Sequence, residues 1–175
     1  VHAGDSGHNP IDFVRVQTPA GEALAIYSSV RALSAHRPGD RPMALDFRTI
    51  GLTALIETGG RVVVNPGTDA VLLPRPAVAA LAQGDQWLPA WRDVALRDLL
   101  FDEANAVCSA ITDLSITYAG GGLTRVIVSV ERSCFTEAAN ASAMKQSLTQ
   151  ALSHVGANRR LIASADRVEI APILV

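Results

Sequence analysis

The stretch that decides the fold is Gly59-Gly60-Arg61-Val62-Val63-Val64-Asn65-Pro66-Gly67-Thr68-Asp69. The two glycines are suited to end a helix in the left-handed conformation. Three consecutive valines predict a strand that is buried on both faces, and Asn65 is expected to be extended because it precedes a proline. Pro66 and Gly67 fit the two middle positions of a type II turn. The stretch therefore predicts a central strand that returns as an antiparallel neighbour over residues 70–74. A phosphate site is not predicted, because the loop follows a strand and does not open a helix.

The residues before this strand predict a hairpin followed by two helices. Residues 12–18 and 22–29 have the composition of two strands and flank a Pro-Ala-Gly turn. A serine, Ser28 or Ser29, is expected to cap a short helix that ends at Ala35. Asp46 is expected to cap a second helix over residues 47–56.

The residues after the strand predict a short helix over 76–83 and then a second unit beyond the linker DQWLPAWRD (85–93). The elements expected there are a helix over 95–111, two strands over 112–119 and 123–132, a helix over 135–155 and a last strand over 165–174. Strands and helices in this order predict an α+β fold of two small mixed subdomains, each a short sheet with helices packed on it. The predicted divisions are a flexible lead over 1–10, a first domain over 11–92 and a second over 93–175.

Composition excludes several classes of protein. Of the 175 residues 49% are hydrophobic and only 18% are charged, which supplies ample apolar surface for a core and argues against disorder. The net charge of -2 and the lack of a basic stripe argue against a nucleic-acid partner. No apolar run approaches the roughly 20 residues that span a bilayer, and the polar beginning is unlike a signal peptide. We therefore expect a cytoplasmic protein without a membrane partner.

Several segments together resemble the actinobacterial branch of the SseB family, named for enhanced serine sensitivity. They are LAIYSSVRALSAHRPGDRPMALDFRTI (24–50), GGRVVVNPGTDAVLLPRPAVAALAQGDQW (59–87) and RVEIAPI (167–173). The resemblance is specific over residues 12–92 and extends over 93–175 as the order of elements of the family's C-terminal domain. It implies an intracellular bacterial protein with no established cofactor, no agreed catalytic residues and a loose association with amino-acid metabolism. The residues that carry the family pattern, with an expected structural role, are Tyr27, Ser28, Asn65, Pro66, Gly67 and Pro74.

Cys134 is the one residue that suggests an enzyme. It is expected between a strand and a helix, where backbone amides lower the pKa of a thiol. Sulfur-transfer enzymes place their cysteine in such a loop, but Phe135 is bulky and Glu137 is negative, and both oppose a thiolate. Its interpretation as a partly buried small residue is favoured. The other cysteine, Cys108, is expected on an apolar helix face, and the spacing of the histidines predicts no metal site.

Trp87 and Trp91 are the candidate partner-binding residues. They flank Leu88-Pro89 in the linker, where aromatic side chains could anchor a partner or, as the favoured alternative, clip the two subdomains together. The first hypothesis for function is a non-enzymatic interaction or regulatory module whose partner is another protein or a second copy. The alternatives are an accessory enzyme of sulfur or amino-acid metabolism that uses Cys134, and a small-molecule sensor in a cleft between the subdomains. No cofactor is predicted.

Overall fold

The computed structural model describes residues 13–136 and 138–175, and nothing is stated of the side chains of residues 138–140. The lead predicted over residues 1–10 lies outside this range. The strands are β1 (Arg15–Thr18), β2 (Gly21–Ile26), β3 (Val62–Val64), β4 (Val71–Leu73), β5 (Ile111–Tyr118), β6 (Leu123–Val130) and β7 (Arg167–Leu174). The α-helices are α1 (Val30–His36), α2 (Phe47–Glu57), α3 (Arg75–Gln83), α4 (Val94–Val107), α5 (Ala138–Ala157) and α6 (Arg159–Ser164). Short 3-10 helices cover Ala90–Arg92 and Arg132–Phe135. The predicted α+β class is confirmed.

The first sheet has the strand order β1-β2-β3-β4. The strand β2 pairs antiparallel with β1 and parallel with β3, and β3 pairs antiparallel with β4. The valine strand is therefore central, as predicted, and Val62 and Val63 are buried. The predicted helix caps are also confirmed. The side chain of Ser29 accepts a hydrogen bond from the backbone N–H of Ala32 at the start of α1, and the side chain of Asp46 accepts one from the backbone N–H of Thr49 at the start of α2.

The first core is small. Its buried members are Leu24, Ala54, Val62 and Val78, with partly buried side chains packed around them. Helices α2 and α3 cross closely at Gly51, where an added Cβ would lie 2.7 Å from the Cβ of Ala82. Only a residue without a side chain fits this crossing without a shift of one helix, because real Cβ contacts are not so short.

The second sheet has the strand order β5-β6-β7, with β6 antiparallel to β5 and parallel to β7. The two strands predicted over 112–119 and 123–132 form a hairpin, in which Tyr118 lies opposite Thr124. Alternate residues of β6 are buried, which places one face of this sheet in the core. That core is much larger than the first and includes buried side chains from α4, α5 and α6 as well as from the sheet, among them Leu96, Leu100, Leu114, Val126, Val128, Ala151, Val155 and Leu161.

The two sheets touch through their hairpins and through one ion pair. The guanidinium of Arg61 donates from Nε to Asp166 Oδ2 at 2.7 Å, and both side chains are largely buried. Arg167 Nη1 donates to the carbonyl oxygens of Pro19 at 3.1 Å and Gly121 at 3.3 Å. These contacts fix how the turn of the first hairpin lies against the turn of the second.

The last strand, β7, is an edge strand of the second sheet. The amide of Val175 donates to the carbonyl of Val130, so the backbone groups of the odd-numbered residues of β7 face β6. The even-numbered residues therefore turn their backbone groups outward. Pro172 is one of them and has no N–H, so the outward row of donors is interrupted near its middle.

Some boundaries differ from those predicted. The helix predicted over residues 95–111 ends at Val107, and residues 108–110 form a turn before β5 begins. Cys108 is accordingly a buried residue that follows the helix and is not on its face. The first helix was expected to end at Ala35, but α1 continues for one more residue to His36. Helix α6 was not predicted at all, because six residues are too short for a periodic pattern to be recognised.

Candidate functional site

Except for Pro74, which follows β4 at the opposite end of the first sheet, the residues that carry the family pattern lie at the carboxyl ends of β2 and β3. Because these strands are parallel neighbours, with Ile26 opposite Val64, the loops that follow them leave the sheet side by side. Crevices outside the carboxyl ends of parallel strands are common binding places in α/β sheets. We call the cluster of Tyr27, Ser28, His36, Asn65 and Gly67 the motif corner.

Asn65 joins the two loops of the motif corner. Its side-chain Oδ1 accepts a hydrogen bond from the backbone N–H of Ser28 at 2.9 Å, and its Nδ2 donates to the hydroxyl of Ser28 at 3.0 Å. The prediction that Asn65 is extended is wrong, because its φ is 53°. Asparagine tolerates this left-handed conformation better than most residues. The two hydrogen bonds to Ser28 hold it there against the ordinary preference of a residue before proline.

The turn after Asn65 is held against helix α1. The amide of Thr68 donates to the carbonyl of Asn65 at 3.3 Å, and Gly67 has a φ of 89°, as the predicted type II turn requires. A Cβ on Gly67 would lie 2.5 Å from Cδ2 of His36, so any other residue would displace the imidazole. Sequence analysis missed this role of His36, because a histidine near a helix end has many explanations.

Tyr27 completes the motif corner. Its hydroxyl lies 2.9 Å from Nδ1 of His36, within hydrogen-bond distance. Partial burial raises the pKa of Tyr27 above its ordinary value, because a phenolate would lose hydration there. The remaining family residues, Pro66 and Pro74, are buried, and Pro74 precedes α3 as its N-terminal cap residue. The contacts of Tyr27, Ser28, Asn65 and Gly67 hold the loops of the motif corner together, and the structural role expected of the family residues stays a prediction.

An open groove of about 1020 Å³ lies beside the motif corner. It is bounded by the first hairpin, by α1 and by the connection over residues 37–46 between α1 and α2. Apolar side chains line it, and two of them are unusually exposed, Val30 at 61% and Met43 at 62%. Exposed apolar side chains around a groove are typical of a surface that meets another molecule.

Arginines surround the groove. Arg15, Arg37 and Arg41 line it together with a single carboxylate, Asp40. Residues 13–50 contain five arginines and three acidic residues, a net charge of +2 in a chain whose net charge is -2. Arg15 donates to Glu57 at 3.0 Å and Arg37 pairs with Asp40, whereas Arg41 has no carboxylate partner among the described residues. The groove is therefore apolar inside and positive at its rim.

A second, smaller cavity of about 430 Å³ lies between the two sheets. Its walls are the outer face of the first sheet, the turn of the motif corner and the tip of the second hairpin. Val16, Leu72, Pro66 and Tyr118 are among the residues that line it. The cleft predicted between the two halves has a counterpart here, and its lining is mostly apolar.

The two tryptophans of the linker form an aromatic cluster with Tyr118 of the second half. The rings of Trp87 and Trp91 meet edge to face at 5.9 Å, and Trp91 lies 4.8 Å from the ring of Tyr118. Both are half-buried, and Trp91 packs against the second core. The Nε1–H of Trp87 is buried and has no acceptor within residues 13–136 and 138–175. Trp91 is therefore held by the linker and the second half, and the clip interpretation stays a prediction.

Cys134 lies where the sequence predicts, between β6 and α5, but it lines neither cavity. It is half-buried and packs against the second core. Over residues 13–136 and 138–175 there is no cluster of three or more His, Cys, Asp or Glu side chains that could hold a metal ion. Within the same residues no helix has both the length and the apolar character needed to cross a membrane.

The structure is that of an α+β protein with two sheets. The polar loops of the motif corner follow β2 and β3 and meet at one end of the first sheet. Residues 2–80 match the family model described as SseB protein N-terminal domain. This match covers the first sheet, the motif corner and most of α3, and it supports the resemblance of that part to the SseB family. The comparisons with curated proteins and with solved structures gave no match.

Proposed function

We propose that this chain is an intracellular protein-interaction module of the SseB family, of the actinobacterial type, that binds its partner through the groove beside the motif corner. The observation that carries the proposal is the open apolar groove with the exposed side chains of Val30 and Met43 at its wall. Leaving such side chains in water forgoes about 1.5–3 kcal/mol each relative to full burial. A partner that covers them gains this free energy.

The family residues act as the support of this surface. Asn65 and Gly67 hold the loop after β3 against Ser28 and His36, which fixes the beginning and end of α1. Because α1 is one wall of the groove, the motif corner sets the shape of the proposed surface. Tyr27 belongs to both the corner and the groove lining, which links the two directly.

The proposal is tested by crosslinking at a single position. A photo-crosslinking amino acid replaces Met43 in one sample and Ile162 in the other, because Ile162 has similar exposure, 56%, and lies on α6 far from the groove lining. A partner crosslinked in cells from position 43 and not from 162 is then purified. We expect Met43→Asp to weaken its binding at least tenfold and Ile162→Asp to leave binding unchanged. Equal loss in both variants, or in neither, contradicts the proposal.

The tryptophans provide a second arm of the same test. If they clip the two halves together, Trp91→Ala lowers the melting temperature and affects partner binding only through stability. If they are partner anchors, as the alternative holds, Trp87→Ala weakens binding without a comparable loss of stability. Thermal melting and affinity measured on the same two variants separate these outcomes.

A small-molecule sensor is the second candidate function, and the cavity between the sheets is the observation that favours it. Its apolar lining suits an apolar metabolite such as a branched or aromatic amino acid. A ligand that binds only the folded state must raise the melting temperature. A panel of amino acids is therefore screened for thermal stabilisation, with Leu72→Trp as the variant whose filled cavity cancels the shift. A panel without any shift contradicts this candidate.

A further inference from the structure

We propose that the groove takes an extended, acidic segment of a partner protein that adds as a strand to the free edge of β1. This inference rests on the proposed function and specifies the chemistry of its partner. It combines three independent features of the same surface, namely the direction of the backbone groups of β1, the space beside them and the charge around that space.

The backbone of β1 presents a usable edge. The amide of Ala25 donates to the carbonyl of Val14 at 2.7 Å, so Val14, Val16 and Thr18 turn their backbone groups toward β2. Phe13, Arg15 and Gln17 therefore turn their N–H and C=O groups away from the sheet. In the described part of the chain β1 pairs with no strand other than β2. A row of three donors and three acceptors is open to another strand.

The groove provides the space for that strand. Phe13, Val14 and Arg15 line it on one side, and the connection over residues 37–46 lines it on the other. Its volume of about 1020 Å³ lies at the upper end of the range for small-molecule sites, roughly 300–1000 Å³. A segment of several residues suits this volume better than a single metabolite. Alternate side chains of an added strand would enter the groove, where Val30 and Met43 provide apolar contacts.

The positive charge around the groove favours a partner segment that carries acidic residues. Among the described residues that line the groove, Arg15, Arg37 and Arg41 are positive and Asp40 is negative. Glu57 pairs with Arg15 from outside the lining, and Arg41 has no such partner among the described residues. Glutamate and aspartate on the outward-facing positions of the added strand complement this rim, and lysine there would be repelled. The expected partner segment alternates acidic and apolar residues, with the apolar ones directed into the groove.

The other sheet edges suit an added strand less well. The outward row of β7 is interrupted by Pro172, which has no N–H to donate. The edge strand β4 has only three residues, and β5 contacts the 3-10 helix Ala90–Arg92. None of these edges lies against the groove. The edge of β1 is the one at which pairing, space and charge coincide.

The experiment uses fluorescent ten-residue peptides and the full chain. The first peptide alternates glutamate and valine, the second replaces every glutamate by lysine, and the third carries N-methyl groups on alternate amides of the first. We expect the acidic peptide to bind, the basic peptide to bind at least tenfold more weakly, and the N-methylated peptide to lose binding because it cannot complete the ladder. Fluorescence anisotropy measures the affinities, and Met43→Asp and Ile162→Asp serve as the groove variant and its control.

Hydrogen exchange tests whether the peptide binds at the edge of β1. Binding of the acidic peptide is expected to slow exchange of the amides of Arg15 and Gln17, with no change in β7. Equal affinity for acidic and basic peptides, or unchanged binding after N-methylation, overturns this inference. Either result leaves the proposed interaction module intact if a purified partner still crosslinks at position 43.

Other occupants of the groove give different results and also overturn the inference. A second copy of this chain would give a dimer in sedimentation that Met43→Asp dissociates, with no peptide binding. Occupation by residues 1–12 of the chain itself would give peptide binding only after those residues are removed. A failure of the peptides together with a failure of crosslinking at position 43 rejects the interaction module as well.

Discussion

The two sheets are built in the same order but are supported by different cores. Each begins with an antiparallel hairpin, continues through two helices and returns as a strand parallel to the second strand of the hairpin. The second sheet packs its strands of eight residues on a large core from three helices, whereas the first has strands of three to six residues and a small core. The groove, the motif corner and the match to the SseB N-terminal domain all lie in the thinly packed half. The second half therefore has the larger core, whereas the first half keeps an open surface.

The largest expected effect tests the two cores against each other. Leu100 in the second core and Leu24 in the first are both fully buried, so each loses the same side-chain atoms on replacement by alanine. We expect Leu100→Ala to cost about 4 kcal/mol of unfolding free energy and Leu24→Ala about 2–3 kcal/mol, because the first core can relax toward the open groove. Denaturant unfolding of both variants measures the difference. Equal losses would show that the two cores resist cavities alike.

The next effect probes the helix crossing of the small core. Gly51→Ala places a methyl group against Ala82, and overpacking of this kind costs roughly 1–3 kcal/mol. The matched control is Gly39→Ala, because nothing lies within 4 Å of a Cβ at that position. Thermal melting is expected to drop for the first variant and to stay unchanged for the second. A stabilised Gly51→Ala would mean that helix propensity outweighs the crowding.

The ion pair between the halves gives a smaller effect. Arg61→Gln removes a pair with Asp166 that is largely screened from water, and we expect a loss of about 1–2 kcal/mol. Arg125→Gln removes an exposed pair with Glu169 and should cost less than about 0.5 kcal/mol. Unfolding at low and high salt measures both, since only the exposed pair should be screened appreciably. Equal losses would mean that the pair between the halves stabilises the protein no more than an exposed ion pair does.

The conformation of Asn65 gives an effect of similar or smaller size. Both Asn65→Gly and Asn65→Ala lose the hydrogen bonds to Ser28, but only alanine is strained at a φ of 53°. We expect Asn65→Ala to be less stable than Asn65→Gly by about 1 kcal/mol. The difference in unfolding free energy between these variants measures the backbone strain of a residue with a side chain at this φ. A difference near zero would mean that the loop leaves the left-handed conformation.

The smallest effect is the pH dependence of the cap of α2. Hydrogen bonds from the backbone and hydroxyl of Thr49 lower the pKa of Asp46 below its usual value of 3.8. A carboxyl whose folded-state pKa is lowered contributes stability above its unfolded pKa, and that contribution is lost as the pH falls through the folded pKa. The difference in melting temperature between the wild type and Asp46→Asn should therefore shrink below about pH 4. A difference in melting temperature that stays constant with pH would contradict the lowered pKa of Asp46.

Local signals in the sequence predicted most elements of the fold. Asp46, Ser29 and Gly84 mark helix ends, and the valine run with its Asn-Pro-Gly turn predicted the central strand. The conformation of Asn65 was predicted wrongly, because the rule for a residue before proline is local whereas the hydrogen bonds from Ser28 come from 37 residues away. The groove and the role of His36 depend on the same long-range packing and have no local signal. The domain boundary at residues 92 and 93 stays a prediction, and Ala90 already packs in the second core.

Pro172 has a consequence for the chain at high concentration. An eight-residue edge strand that contains the exposed side chains of Val168, Ile173 and Leu174 is the kind of edge that templates the pairing of one molecule with another. Because Pro172 removes one outward donor from the middle of the row, a neighbouring copy can form only a broken ladder. We therefore expect Pro172→Val, which restores the missing donor, to increase aggregation at high concentration and to leave the groove unchanged.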